Sequence, residues 1–225
     1  MKVPIEAREL TMELGSFRLG PLSLRLPSTS LIAVTGPSGA GKSTLLLCLA
    51  GAFPPTRGQI LFRKINLASQ DDQTIARLRR ETVGLLPQET AVLQEESLFE
   101  NLLPFGRKPA SADAALLRRW LDAFRLPTDL HRKAGTLSGG EQRRLDLVRV
   151  FLSDAPVLIL DEPFAMLDES NAGLVRERIL EQSRRRCVIC SLHDDPLLPH
   201  ASMTITLAAG KAAIRAVETP PPLRR

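Results

Sequence analysis

Gly36-Pro37-Ser38-Gly39-Ala40-Gly41-Lys42-Ser43 has the spacing G-x-x-x-x-G-K-[ST], a set of residue types suited to holding a phosphate chain. Glycines let the backbone curl until several N–H groups converge on phosphate oxygens, and a helix starting at the loop's end adds its dipole. Lys42 is placed to meet β- and γ-phosphates, Ser43 to ligate Mg²⁺, and Thr44 to offer a hydroxyl to a neighbouring phosphate. Further on, the apolar run Val157-Leu158-Ile159-Leu160 ends in Asp161-Glu162. That run sets the Asp161 carboxylate at the C-terminal end of a buried parallel strand, where such sheets bind ligands. Asp161 would hold Mg²⁺, and Glu162 would face an attacking water as general base. Between these two elements lies Leu137-Ser138-Gly139-Gly140-Glu141. Ser138 can cap a helix beginning near Gln142, and the two glycines leave backbone amides bare for an anion.

The elements that must position these residues read as an alternation of strands and helices. Leu10 to Leu26 alternates apolar and polar residues, punctuated by Gly15, Gly20 and Pro21, as antiparallel strands do. Leu31-Ile32-Ala33-Val34-Thr35 is a continuous apolar strand feeding the glycine loop, and residues 43–50 form a helix stopped by Gly51 and Pro54-Pro55. Residues 59–62 and 82–86 are further strands. From Gln88 to about Asp154 the pattern turns helical, with Leu and Ala at helical spacing over 112–124. Strands return at Val157, Cys187 and Met203, with a helix over about 169–184, and Thr219 to Arg225 reads as an unpacked tail. The order fits an α/β fold with a mostly parallel sheet covered by helices.

Composition excludes several other classes. Apolar content of 44% and charged content of 24% over 225 residues are those of a soluble globular domain. No apolar run approaches the roughly eighteen residues needed to cross a bilayer, and the N-terminus lacks the pattern of a secretion signal. Cys187-Val188-Ile189-Cys190 spells C-x-x-C, but residues three apart on a strand point to opposite faces, so the thiols belong to the core, as does Cys48. The net charge of +5 is spread over arginine pairs and triplets such as Arg143/Arg144 and Arg184/Arg185/Arg186. Solvated helix faces account for most of it. With no tyrosine and one tryptophan, nothing suggests nucleic-acid binding.

A phosphate loop, a strand ending in Asp-Glu, and Leu-Ser-Gly-Gly between them resemble the ATP-binding cassette (ABC) family over about residues 7–215. The resemblance implies a P-loop NTPase core with a mostly parallel sheet (1–87 and 156–215), an N-terminal antiparallel β subdomain, an inserted α-helical subdomain (88–155) and a tail (216–225), all one domain. ATP and Mg²⁺ are the implied ligands. Two copies, as a homodimer or pseudo-dimer, would clamp ATP, with Ser138, Gly139, Gly140 and Glu141 reaching the γ-phosphate held by the other subunit. Gln88 resembles the residue that senses Mg²⁺ and water, Met166-Leu167-Asp168 the loop that crosses the dimer interface, and His193 the switch histidine at the γ-phosphate. Phe17 is the candidate for stacking on adenine. Asp146 stands where the family has an apolar or small residue.

The implied function is the ATP-hydrolysing subunit of an ABC transporter, peripheral on the cytoplasmic face of the inner membrane through separate membrane-spanning subunits. The alternative is a soluble ABC ATPase serving an assembly machine, such as iron–sulfur assembly. The run Ser97-Leu98-Phe99-Glu100-Asn101-Leu102 is similar to exporter-type cassettes, while Arg132-Lys133-Ala134-Gly135 replaces the Thr-Glu-x-Gly pattern those carry. Direction and substrate therefore stay open.

Overall fold

A computed structural model of the chain describes residues 4–103, 113–208 and 211–216. The tail expected at the C-terminus lies outside the described residues. In chain order the elements are β1 (Ile5–Leu14), β2 (Phe17–Arg25), β3 (Ser30–Thr35), α1 (Lys42–Leu49), β4 (Arg57–Phe62), β5 (Ile65–Asn66), α2 (Asp72–Thr82) and β6 (Val83–Leu86). They continue with α3 (Leu98–Leu102), α4 (Ala114–Ala123), α5 (Gly139–Leu152), β7 (Val157–Leu160), α6 (Glu169–Ser183), β8 (Cys187–Ser191), β9 (Met203–Ala208) and β10 (Lys211–Ala216).

Two sheets result. One is antiparallel in the order β2-β1-β4-β5; the other runs β10-β9-β3-β8-β7-β6 and is parallel except for its β10 edge. The strict two-residue period of the parallel strands sorts their side chains onto two faces. Ile32, Val34, Val157, Ile159, Cys187 and Ile189 join α1 and the antiparallel sheet in one apolar cluster. Leu31, Ala33, Leu158, Leu160, Val188 and Cys190 join α4, α5 and α6 in the other. Cys187 and Cys190 therefore do face opposite ways. Helix α1 is apolar nearly all round because it lies between the two sheets.

Helix α2 is polar on most of its surface and is built by its ends. The Asp71 carboxylate accepts the Thr74 amide at 2.7 Å, and Arg79 and Arg80 sit in the last turn, where the helix dipole favours cations. Helices α4 and α5 pack through Trp120, Phe124 and Phe151, whose ring centroids lie 5.8–6.4 Å apart. Carbonyls at and just beyond the C-terminus of α5 are taken up by Arg186, which donates to Phe151 O (2.8 Å), Ser153 O (2.5 Å) and Ala155 O (3.0 Å). Solvated faces, the expectation for most of the arginine charge, do not account for three of these residues. Arg143 and Arg144 are buried, and Arg186 is half-buried. Among the described residues no helix is long and apolar enough to cross a membrane.

Burial raises the thiol pKa of Cys48 and of Cys187 to about 11, and pushes Cys190 further in the same direction. Little thiolate forms at pH 8, and the sulfurs are sheltered from reagents. A colorimetric thiol assay at pH 8 is expected to find no reactive cysteine in the folded protein and all three in denaturant.

Candidate functional site

Four strands deliver the candidate residues to one edge. In the parallel register Leu86 stands beside Leu160, Leu160 beside Cys190, and Val34 beside Ser191. The C-terminal ends of β6, β7, β8 and β3 are therefore close to level. Gln88 follows β6, Asp161 and Glu162 follow β7, His193 follows β8, and the loop from Gly36 follows β3.

The loop Gly36-Pro37-Ser38-Gly39-Ala40-Gly41 leads straight into α1, whose first residues are Lys42, Ser43 and Thr44. Two positions require glycine. Gly36 has φ 141°, and a Cβ there would lie 2.3 Å from Leu207 O; Gly41 has φ 97°, and its Cβ would lie 2.5 Å from the Phe17 ring. Phe17 accordingly lies against the phosphate loop. No side chain among the described residues caps α1, so its first amides remain available to an anion. Lys42 Nζ donates to Gly36 O (2.9 Å) and Pro37 O (3.0 Å), which leaves one of its three N–H groups.

Asp161 is buried, and its Oδ1 accepts from Ser191 Oγ at 2.7 Å; the same Oγ accepts the Glu162 amide at 2.7 Å. Ser191 thus ties the two acids to the neighbouring strand. Glu162 has φ 47°, a left-handed conformation that costs a non-glycine residue about 1–3 kcal/mol and persists only where its surroundings hold it. Its carbonyl accepts from Arg143 Nη2 at 2.8 Å, and the Asp161 carbonyl accepts from the same nitrogen. Ser43 Oγ lies 3.5 Å from Gln88 Oε1, bringing the loop and the Gln88 segment together. His193 is exposed just beyond β8, and the chain after it is anchored by Asp195, which pairs with Arg176 at 3.1 Å.

The Ser138 segment is organised differently from expectation. Helix α5 starts at Gly139, three residues before Gln142, because Ser138 and Glu141 form a reciprocal cap: Glu141 N donates to Ser138 Oγ (3.3 Å), and Ser138 N donates to Glu141 Oε2 (2.8 Å). The amide hydrogen bond holds the Glu141 carboxyl below its usual range. Glycines in the first turn cost helix stability, which is why they read as loop. Their amides, at the first two helical positions, have no partner among the described residues.

Beside these glycines lies Met166, 79% exposed and left-handed at φ 63°, with its carbonyl 2.8 Å from where a Gly140 Cβ would stand. Asp168 is exposed and caps α6 by accepting the Asn171 amide at 2.8 Å, a bond that lowers its pKa. No hydrogen bond joins 138–141 to the phosphate loop among the described residues. Sequence reasoning missed Ser191 and Arg143. A serine ending an apolar strand level with Asp161 was a usable signal for the first; nothing but burial distinguishes the second.

These features define a nucleotide-binding protein of the phosphate-loop class. The sequence profile described as "ABC transporter" matches residues 19–165. The chain is 32% identical over 200 residues to the phosphonates import ATP-binding protein PhnC of Chromohalobacter salexigens, covering 83% of this chain and 73% of that one. It is 36% identical over 172 residues to the sulfate/thiosulfate import ATP-binding protein CysA of Methylococcus capsulatus, covering 73% and 48%. Among solved structures, the dimeric ATP-binding cassette MJ0796 bound to ADP and Pi superposes with a TM-score of 0.83 at 22% identity, over 96% of this chain and 99% of that one. The chain belongs to the ABC transporter family and is one of its ATP-binding, ATP-hydrolysing cassettes.

Ser191→Ala removes the hydroxyl that serves both acids. It is expected to cost about 1–3 kcal/mol in a urea melt, because it leaves a buried carboxylate oxygen unpaired. Steady-state ATPase assays should show lower turnover as well.

Proposed function

We propose that this cassette drives transport by closing around ATP as a dimer, each ATP resting on the phosphate loop of one copy and the Ser138 segment of the other. The observation that carries this reading is the pair of unpartnered Gly139 and Gly140 amides at the N-terminus of α5. They form a ready anion site with no hydrogen bond to the chain's own phosphate loop among the described residues. The exposed loop with Met166 and Asp168 lies beside that site and would meet the partner copy.

The geometry supports a role for each residue. Phosphate oxygens would draw Lys42 Nζ from the Gly36 and Pro37 carbonyls and take the free amides of α1. Ser43 Oγ, Gln88 Oε1 and the Asp161 oxygen not bonded to Ser191 make an all-oxygen set that fits Mg²⁺. Mg²⁺ in that set would neutralise charge on the β- and γ-phosphates. Glu162 takes the proton of the attacking water, His193 at the end of β8 donates to the γ-phosphate, and Phe17 offers its ring to the adenine. Separate membrane-spanning subunits convert closure into transport, placing the cassette on the cytoplasmic face of the inner membrane. The import names of the relatives at 32% and 36% identity support the inward direction.

Glu162→Gln is expected to bind ATP, hydrolyse at least about a hundredfold more slowly, and elute as a dimer on size exclusion with ATP. Wild-type turnover would remove Glu162 from the role of base. Purification of the tagged chain from its own cells in mild detergent is expected to bring down a multi-span membrane protein in stoichiometric amount. Soluble partners alone would point instead to an assembly machine.

A further inference from the structure

Helix α5 carries Arg143, Asp146 and Arg149 at three-residue spacing, one stripe along a helix whose neighbouring positions belong to the apolar core. Arg143 is 2% exposed and Asp146 fully buried. Burying charges in such a stripe is unfavourable compared with apolar residues of similar size, so their contacts deserve a functional account. All three reach the segment 87–91, and Arg143 reaches the end of β7 as well.

Arg143 Nη1 donates to Pro87 O at 2.7 Å, the carbonyl immediately before Gln88. Its Nη2 donates to the carbonyls of Asp161 and Glu162. Asp146 Oδ2 accepts from Thr90 Oγ1 (2.8 Å) and from the Ala91 amide (3.1 Å), two and three residues beyond Gln88 on the other side. Arg149 closes the array: its Nη2 pairs with Asp146 Oδ1 at 2.6 Å and its Nη1 donates to Ala91 O at 3.0 Å. Gln88 is thus bracketed by bonds to α5 while its own side chain stays exposed beside Ser43. Arg143 has no carboxylate within ion-pair distance among the described residues, and its Nε has no partner. The guanidinium is spent on main-chain carbonyls of the two segments that carry Gln88 and Glu162.

We propose that Arg143 and Asp146 are positioning residues for ATP hydrolysis, tying the Gln88 segment and the backbone of Glu162 to α5, the helix whose N-terminus meets the partner copy's ATP. Arg143 lies five residues past Ser138, the cap of α5, about 7.5 Å along the helix axis. A small tilt or shift of α5 on engaging the second nucleotide moves the Pro87 and Glu162 carbonyls with it. Water activation then depends on closure of the dimer. The inference rests on Glu162 acting as the general base.

The test compares full-length wild type, Arg143→Met, Arg143→Lys, Asp146→Asn, Asp146→Ala and Glu162→Gln by steady-state ATPase kinetics, ATP binding and thermal melting. Arg143→Met and Asp146→Ala are expected to lose about tenfold or more in kcat while KM for ATP and the affinity of the monomer stay within about threefold. Arg143→Lys, which keeps one long cationic donor, and Asp146→Asn, which keeps an acceptor for Thr90 or Ala91, should recover part of that loss. Melting temperatures should not follow kcat. Wild-type kcat in folded Arg143→Met and Asp146→Ala, beside an inactive Glu162→Gln, overturns the brace alone. So does a loss that tracks melting temperature, with Arg143→Lys and Asp146→Asn no better than their partners. Wild-type turnover in Glu162→Gln overturns the base assignment and the brace together.

Discussion

The parallel pairing of β3, β8, β7 and β6 is the constraint on which the rest of the molecule depends. A slip of one residue between β7 and β8 would exchange Cys187 and Cys190 between faces and carry Asp161 away from Ser191. The apolar residues on both faces of these strands fix the register, because neither face tolerates exposure. Function is a consequence of that register. Four loops that are far apart in sequence begin at nearly the same height, and each contributes one kind of group: amides and an ammonium, an amide oxygen, two carboxylates, an imidazole.

Against this rigid edge stands a second, more polar system. Arg143, Asp146, Arg149 and Arg186 are charged groups that satisfy main-chain carbonyls and amides at loop and helix ends. Apolar packing fixes which elements lie side by side but does not aim a loop carbonyl. Hydrogen bonds from a buried guanidinium are directional and close to fixed in reach. In this fold the apolar clusters supply stability, while the buried charges set the position of the strained Glu162 and of the Gln88 segment relative to α5.

Much of this was legible in the sequence, and the exceptions share a cause. The strands from Leu31, Val157 and Cys187 and the opposite faces of the two cysteines follow from apolar runs and a two-residue period, both local signals. The phosphate loop's place between β3 and α1 is equally local. Helix α2 was not visible, since only Leu78 and Thr82 of its residues are buried and its cap, Asp71, is an ordinary loop residue by type. Strand β10 was missed because Lys211-Ala212-Ala213-Ile214 has a single β-branched residue beside two alanines, and its place is fixed by pairing with β9. Arg143/Arg144 resembled any solvated pair. Their burial depends on how α5 packs against segments some twenty and more than fifty residues away, a non-local fact that no window of sequence contains. Asp146, unexplained as a sequence position, gains its partners Thr90 and Ala91 the same way.

The central claim is that one ATP site is shared between two chains, with the phosphate loop in one and the Ser138 segment in the other. Mixing two inactive variants tests it directly. Lys42→Ala disables the loop and Ser138→Arg the N-terminus of α5, so a dimer of either variant alone has no intact site. In a mixed dimer both lesions fall on one site and the other is wild type throughout. ATPase activity well above the sum of the separate variants is the predicted result. A mixture that forms the dimer and stays as inactive as its components would contradict the shared site.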